Sequence, residues 1–464
     1  MNLFRRLSMF FLVKGYVVSF FLAQAGVWSS AILQMSSNCK LYAVWALFAL
    51  GCADTSYAEG DSITFEYRNG VWWDGNSEVP GTKYVRDGIF VSSKNSADSK
   101  IFDLQGAIVT APFGEGHNHN IVESIFQRSN AEYLRSGVFY AKVPTTYPPA
   151  IESIRDQLNR PDTVDVAFSM GGVTSPGGHP VALFVNTLSR TIYKGATYED
   201  FKRQAFHEVS NVAEVIDAIN LIYDHGADFV KVTLIYSEDY RAVDYDGRSL
   251  RGLNPNLLPA VVQESHLRGL PVTLHVNSAA DFRVGVAAGV DEIAHLPGIA
   301  WPDDRLDEDH RLTAEDAARA RDGGVAVVTT TYVIEVVYKD QPKKLQAFRS
   351  MQRSNLAVLQ AAGVELRIGS DTYDREGTGV GANPTLGEVQ NLVSLGAFDA
   401  RSILSRWIDT GRSIFPDRRI ACFDPGCEAS FLVFTEDPRV DMDKLATLKA
   451  GVKENYVVTG SFEN

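Results

Sequence analysis

Two histidines stand one residue apart in "APFGEGHNHN", as His117 and His119, directly after the apolar run "AIVTAPF". On an extended backbone alternate residues face the same side, so both imidazoles can reach one point. Neither a hydrocarbon core nor a solvated surface asks for that pairing. A divalent cation does, since neutral imidazole is a good nitrogen donor; a capped turn is the other way to use the pair. Groups of related chemistry recur further on. Lys231 lies inside "ADFVKVTLI", His275 closes "LPVTLHV", His295 closes "VDEIAHL", and Asp371 follows "VELRIGS". Of nine histidines in the chain, four fall at the ends of such apolar runs. Taken singly, His275 and His295 fit hydrogen-bonded core histidines equally well, and Asp371 fits a helix cap. Lys231 is harder to accommodate. Alternation puts Phe229, Lys231 and Thr233 on one face and Val230, Val232 and Leu234 on the other. In a strand covered on both faces, a free ammonium carries a heavy desolvation cost unless it is paired. Snorkelling out at a strand end is its bland alternative.

The elements that would position these groups follow a regular pattern. From about residue 60 to 110, "SITFEYRNG", "VWWDGNS" and "YVRDGIFVSS" read as short strands broken by turns, and "EASFLVFTEDP" and "ENYVVTG" read likewise near the other end. Between them, eight strand-like runs, from "AIVTAPF", "GVFYAKV" and "TVDVAFSM" to "GVAVVTTT" and "VELRIGS", alternate with helical stretches. Three of those, "VAEVIDAINLIYDHG", "LLPAVVQESHLRG" and "LTAEDAARARDGG", end in Gly as a helix C-terminus does. The pattern predicts an α/β fold: a closed (β/α)8 TIM barrel over residues 113–417 and a small β-sandwich domain built from residues 58–112 and 418–464. In such a barrel, chemistry sits at the carboxyl ends of the strands.

In this order and at these places the six groups resemble the amidohydrolase superfamily of metal-dependent hydrolases. Its members use a first-strand His-x-His, a fourth-strand Lys, histidines after strands five and six, and an Asp after strand eight. The tail "GCEASFLVFTEDPRVD" is similar to that family's closing segment, so the likeness spans nearly all of the chain after residue 60. The resemblance implies two divalent ions, with Zn2+ suiting the donors best. His117, His119 and Asp371 would hold one, His275 and His295 the other, and Lys231, carboxylated on its amine, would bridge them. Two cations sharing a water would leave a metal-bound hydroxide as nucleophile. Asp371 would be the general base and later the proton donor, while a metal polarises the scissile carbonyl. The implied reaction is hydrolysis of an amide-like C–N bond in a cyclic amide, an N-acyl amino acid or a dipeptide.

His179, in "SPGGHPVAL", resembles a Gly-Gly-His turn of the branch related to imidazolonepropionase and metal-dependent Xaa-Pro dipeptidases, where that histidine faces substrate. Here Pro180 replaces the usual small residue. Tyr236, Arg241 and Arg251 are candidate contacts for a substrate carboxylate, and specificity is expected in loops 140–150, 174–181, 236–252 and 372–384. Glu115 stands where the family has Asp, which keeps the charge and lengthens the reach towards the metal ligands. His207, His225, His266 and His310 read as surface residues. A mononuclear deaminase is the nearest alternative. Such members carry a glutamate three residues after the fifth-strand histidine, where "HVNS" has Ser278, and Lys231 would have no role in them. Ester or phosphotriester hydrolysis, and a catalytically silent exported binding protein, are further alternatives.

Formal net charge is −13, with 45% hydrophobic and 22% charged residues, as in folded globular chains. The first 52 residues hold Arg5, Arg6, Lys14 and Lys40 and no acid, so the body is more acidic still. With no basic patch it would repel nucleic acid; the expected partner is a small-molecule substrate, and an oligomer is compatible. Residues 1–57 read as a leader. "LYAVWALFALG" has signal-peptide length and ends at Cys52, in an imperfect lipobox with Ala49 where Leu or Val is preferred. Cleavage after Ala53 is the other route, Met35 is an alternative start, and residues 15–39 are uncharged and long enough for a retained anchor. The expectation is an exported protein, periplasmic or lipid-anchored through Cys52. Cys422 and Cys427 bracket a Pro-Gly turn and are candidates for a disulfide; free thiols are the alternative.

Overall fold

The structure, a computed structural model, describes residues 63–94, 99–240, 251–299, 305–372 and 384–462, with two short strands near the N-terminus. Those strands, Phe10–Val13 and Tyr16–Ser19, pair antiparallel in a unit of their own. Cys52 and the rest of the leader lie outside the described residues, as does Arg241. Among the described residues no helix is long and apolar enough to cross a membrane.

From residue 61 onward the chain is mixed α/β. One eight-stranded mixed sheet draws on both chain ends. Its long strand, Thr64–Trp73, pairs antiparallel with Glu78–Arg86 on one edge. On the other it pairs in parallel first with Ser99–Asp103 and then with Ile108–Thr110. Phe431–Phe434 adds beside Ile108–Thr110 and carries Leu448–Lys453 and Tyr456–Gly460 behind it. The strands expected as a sandwich are thus joined in one continuous sheet, because Thr64–Trp73 changes partner midway. Its buried face is aromatic: Phe431 meets Tyr67 and Trp72 edge-on, with ring centroids 4.9 and 5.2 Å apart.

The other sheets are parallel. Phe113–Glu115, Val138–Val143 and Asp165–Phe168 form one. In the second, Phe206–Glu208, Gly172–Thr174, Val230–Thr233, Val272–His275, Glu292–Ala294, Ala326–Val328 and Leu366–Arg367 lie side by side in that order. Helices Val212–Asp224, Leu258–His266 and Ala314–Asp322 fall where the pattern put them. Asn211 caps the first through its side chain, and Thr313 and Asp316 form a capping box on the third.

Two strand assignments need correction. "AIVTAPF" is not a single strand: Ile108–Thr110 belongs to the mixed sheet, and Phe113–Glu115 opens the parallel one after Pro112, which has no N–H to offer a ladder. The third run, "TVDVAFSM", holds one strand, Asp165–Phe168, and a further strand that the pattern missed, Gly172–Thr174, follows it at once. The chain bends through Gly171, at φ 92°, so Asp165–Phe168 pairs with Val138–Val143 while Gly172–Thr174 pairs with Val230–Thr233. Phe206–Glu208, which the sequence pattern missed, lies on its other side.

The last strand's exit is bonded to the first strand's exit. Gly116 N–H donates to the Ile368 carbonyl and Asp371 N–H to the His117 carbonyl, each at 2.7 Å. Beneath, helix Ala400–Ile414 lies directly on Phe113–Glu115. A Cβ on Gly114 would sit 2.2 Å from the Gly411 nitrogen, so the contact needs glycine. Elsewhere Asp165 receives Arg418 and the fully buried Lys453, each at 2.8 Å, which ties the mixed sheet to the parallel strands. Cys422 and Cys427 are disulfide-bonded.

Candidate metal centre

One cavity of about 270 Å³ is lined by His117, His119, His179, Lys231, His275, His295 and Asp371. The two first-strand histidines face it because Asn118 between them turns the other way. Its backbone N–H and side-chain amide both donate to the Lys142 carbonyl, at 3.2 and 3.1 Å. Nε2 of His117 and of His119 lie 3.3 and 3.2 Å from Asp371 Oδ1, and His295 Nδ1 lies 3.6 Å from Oδ2. Ligand atoms of His117, His295 and Asp371 all fall within 4.8 Å of one another. The imidazoles continue as a chain, with centroids 4.7 Å apart for His117–His295, 4.5 Å for His295–His275 and 5.6 Å for His275–His179.

The backbone here is strained. His295, Thr330 and Asp371 have φ values of 79°, 45° and 48°, in a region costing a non-glycine residue about 1–3 kcal/mol and found mostly at functional sites. Buried carboxyls hold these loops in place. Glu115 Oε1 accepts from the N–H groups of His117 (3.0 Å) and Ser370 (2.9 Å), and Oε2 accepts from the Thr385 hydroxyl (2.6 Å). The extra methylene relative to Asp is therefore used to span the first and eighth loops. Glu388 accepts from the hydroxyls of Thr329 (2.5 Å) and Thr331 (3.0 Å) and from Tyr332 N–H (2.5 Å). That fixes the loop carrying Thr330, whose Oγ1 is 2.9 Å from His295 Nδ1. Burial pushes both glutamates up to about 7, against the pull of these donors.

Burial, with Lys231 nearby, holds His117 down to about 3 and His275 and His295 well below the usual imidazole value. These rings are neutral at pH 7, with lone pairs available. Burial works against the charge on Asp371, but His295 and His117 beside it hold its carboxyl well below the carboxylate range. Lys231 is 4% exposed, and its Nζ has no hydrogen-bond partner. Burial draws it down to about 7, resisted by Asp371 and Glu292. Glu292 is already engaged, 2.6 Å from Lys142 and 2.7 Å from Arg367. Neutral imidazoles, one carboxylate and one buried amine without a partner form a donor set that fits divalent cations.

Other expected contacts lie elsewhere. The Tyr236 hydroxyl is 3.0 Å from His310 Nε2 and its ring lies under Arg305, away from the cavity lining. Arg251 stacks on Tyr240 and donates to its hydroxyl at 2.7 Å. His266 is exposed beside Asp291, but His207 and His310 are buried, contrary to expectation. His310 ends the acidic run "DEDH", which reads as solvated, yet its ring turns inward to Tyr236; His207 sits on the strand the pattern missed. Asn277 is a site residue that the sequence pattern does not single out. It lines the cavity fully buried, its Oδ1 is 3.0 Å from His275 Nε2, and its Nδ2 has no partner. Its position two residues after His275 was the available signal. Ser278 instead caps helix Ala279–Ala288.

No protein-family model and no curated protein matches the chain. Solved structures match it by shape. A crystal structure of an amidohydrolase superposes with a TM-score of 0.66 at 17% identity, covering 86% of this chain and 100% of that one. This chain has the amidohydrolase fold. A Xaa-Pro dipeptidase with methionine bound in its active site gives 0.65 at 16% identity, covering 86% and 100% of the two chains. The A. niger ochratoxinase gives 0.65 at 16%, covering 86% and 96%. At such identities the amidohydrolase likeness concerns the frame; what the cavity does rests on its own residues.

Proposed function

We propose that this protein is a metal-dependent amidohydrolase that cleaves an amide-like C–N bond in a small molecule. One observation carries the reading: five histidines and an aspartate converge on a cavity that also buries a lysine with no partner. The hydrogen bonds from Gly116 and Asp371 across the first and last strand exits support reading the parallel strands as one closed (β/α)8 barrel. On this reading residues 113–417 form the hydrolase barrel, and residues 58–112 with 418–464 the β domain.

His117, His119 and Asp371 would hold one divalent ion and His275 and His295 a second, Zn2+ being the best match to the donors, with Lys231 carboxylated to bridge them. When bound, such ions supply a nucleophilic water at neutral pH and polarise a carbonyl. Asp371 takes the proton of the attacking water on a carboxylate oxygen and hands it to the leaving amine. Carboxylation would turn Lys231 from a costly buried cation into an anion. Glu115 and Glu388 keep the ligand-bearing loops from drifting. His179, beside His275, is positioned to face substrate. A deaminase is disfavoured by Ser278, which caps a helix where a proton donor would be needed. The acidic body argues against nucleic acid, and the leader and the Cys422–Cys427 bridge support export, with attachment through Cys52 as one route.

Metal analysis of the purified protein, with Lys231→Ala beside it and a library of lactams, N-acyl amino acids, dipeptides and simple amides, tests the reading. Two ions per chain, and loss of both metal and turnover in the variant, are expected. A metal content well below one per chain, or unchanged turnover in the variant, contradicts it.

A further inference from the structure

The cavity lining is of two unlike kinds. Apart from the proposed ligands its lining is mostly hydrocarbon, and much of that apolar wall comes from one stretch: Leu183 and Phe184 on helix Val181–Asn186, then Leu188, Ile192 and Tyr193. The stretch is braced by an aromatic cluster separate from the main core. Phe184 packs against Phe201 at 5.2 Å and stacks on Tyr193 at 6.0 Å, and Tyr147 meets Tyr193 and Phe201 at 5.3 and 5.2 Å. Such a wall is shaped before any ligand arrives, which saves ordering cost on binding. Histidines aside, Lys231 and Asp371 are the charged groups among the described lining residues, and both belong to the proposed centre. A substrate carboxylate against this wall would be buried with no cation of the wall to pair it, whereas an apolar group there leaves water for hydrocarbon. A cavity of about 270 Å³ has room for a group of single-ring or short branched-alkyl size.

We propose that the substrate is a small neutral amide, at least one flank of which is apolar and seats against residues 183–193, in preference to a free dipeptide or an N-acyl amino acid. This rests on the hydrolase reading above and narrows its substrate class. The wall, rather than a carboxylate clamp, sets specificity.

Two matched amide series test it on zinc-loaded enzyme. One lengthens the acyl chain of anilides and the other the amine of N-alkylacetamides, each chain ending in methyl or in carboxylate. In at least one series the methyl-ended members should gain about fourfold in kcat/KM per added methylene. The carboxylate-ended members should fall far behind. Equal or reversed preference in both series overturns the proposal. Leu183→Lys adds a cation to the wall but leaves the aromatic cluster intact; it should shrink the methyl-over-carboxylate preference at least tenfold, mainly through KM, and an unchanged preference counts against the wall. Calorimetric titration of metal-free protein with butyranilide and succinanilic acid separates the two failures. Selective butyranilide binding without hydrolysis of any amide overturns the hydrolase and keeps the wall. Hydrolysis with equal binding of both, or binding of neither, overturns the wall.

Discussion

Replacing Lys231 by Met should stabilise the metal-free protein while destroying its activity. The side chain is 4% exposed and its ammonium has no hydrogen-bond partner, so the unloaded fold carries an uncompensated cation. Methionine fills similar length with an apolar chain. Lowering the amine from its ordinary 10.5 to about 7 corresponds to about 4 kcal/mol of destabilisation at pH 7 and under about 1 kcal/mol at pH 10. The sign follows from proton counting. Between those two values the unfolded chain binds more protons than the folded one, so wild-type stability rises with pH across that window, and the variant lacks this slope. Denaturant midpoints of chelator-treated protein in carbonate-free buffer, at pH 7 and pH 10, measure the difference. The variant should lead clearly at pH 7 and lose most of that lead at pH 10. Adding Zn2+ with bicarbonate should stabilise the wild type and leave the variant unchanged. A variant equal to or weaker than wild type at pH 7 would falsify the idea of an unpaired amine, and with it the reason for carboxylation.

Removing the hydroxyl that orients His295, by Thr330→Val, should weaken metal binding about 10- to 100-fold with the fold retained, read by competition against a chelator; unchanged affinity would mean the imidazole is held by packing alone. Asp165→Asn removes the buried carboxylate shared by Lys453 and Arg418, leaving Lys453 the Arg160 carbonyl and the more distant Glu454, and should cost about 3–5 kcal/mol in a denaturant titration. A loss under about 1 kcal/mol would assign the junction to Glu428, which also binds Arg418. Cys422→Ser opens a loop of five-residue separation and should cost about 2 kcal/mol in oxidised protein. Equal loss with and without reductant would rule out the bridge as the cause.

What the sequence discloses about the fold depends on how local the cause is. Helices Val212–Asp224 and Ala314–Asp322 carry their own start signals in Asn211 and Thr313, so their bounds are readable. Strand ownership is not local. "AIVTAPF" reads as one apolar run, yet its first half pairs with Phe431–Phe434, more than three hundred residues away, and only its end joins the parallel sheet. Three-residue strands such as Phe206–Glu208 are too short for alternation to register. Its burial, and that of His207 on it, comes from neighbours the local sequence does not name.

The site divides in the same way. Histidines 117, 119, 275 and 295, Lys231 and Asp371 sit at strand ends or within a strand, where alternation and apolar context mark them. The groups that hold them come from far along the chain: Glu115 reaches Thr385 across 270 residues, and Glu388 reaches Thr329 across 59. No local pattern distinguishes a buried glutamate bracing a ligand loop from one on a solvated helix face; Glu388 lies on a helix and reads as the latter. Tyr236 fails for the converse reason, since its place after a strand points to the cavity while a left-handed backbone, at φ 48°, goes with a ring held by Arg305 and His310 instead. Which residues line the cavity is therefore a property of strand ends and is legible, whereas the orientation of their side chains depends on long-range pairing. Substitutions at Glu115, Thr330 and Glu388 should accordingly alter metal affinity while every residue legible as a ligand remains in place.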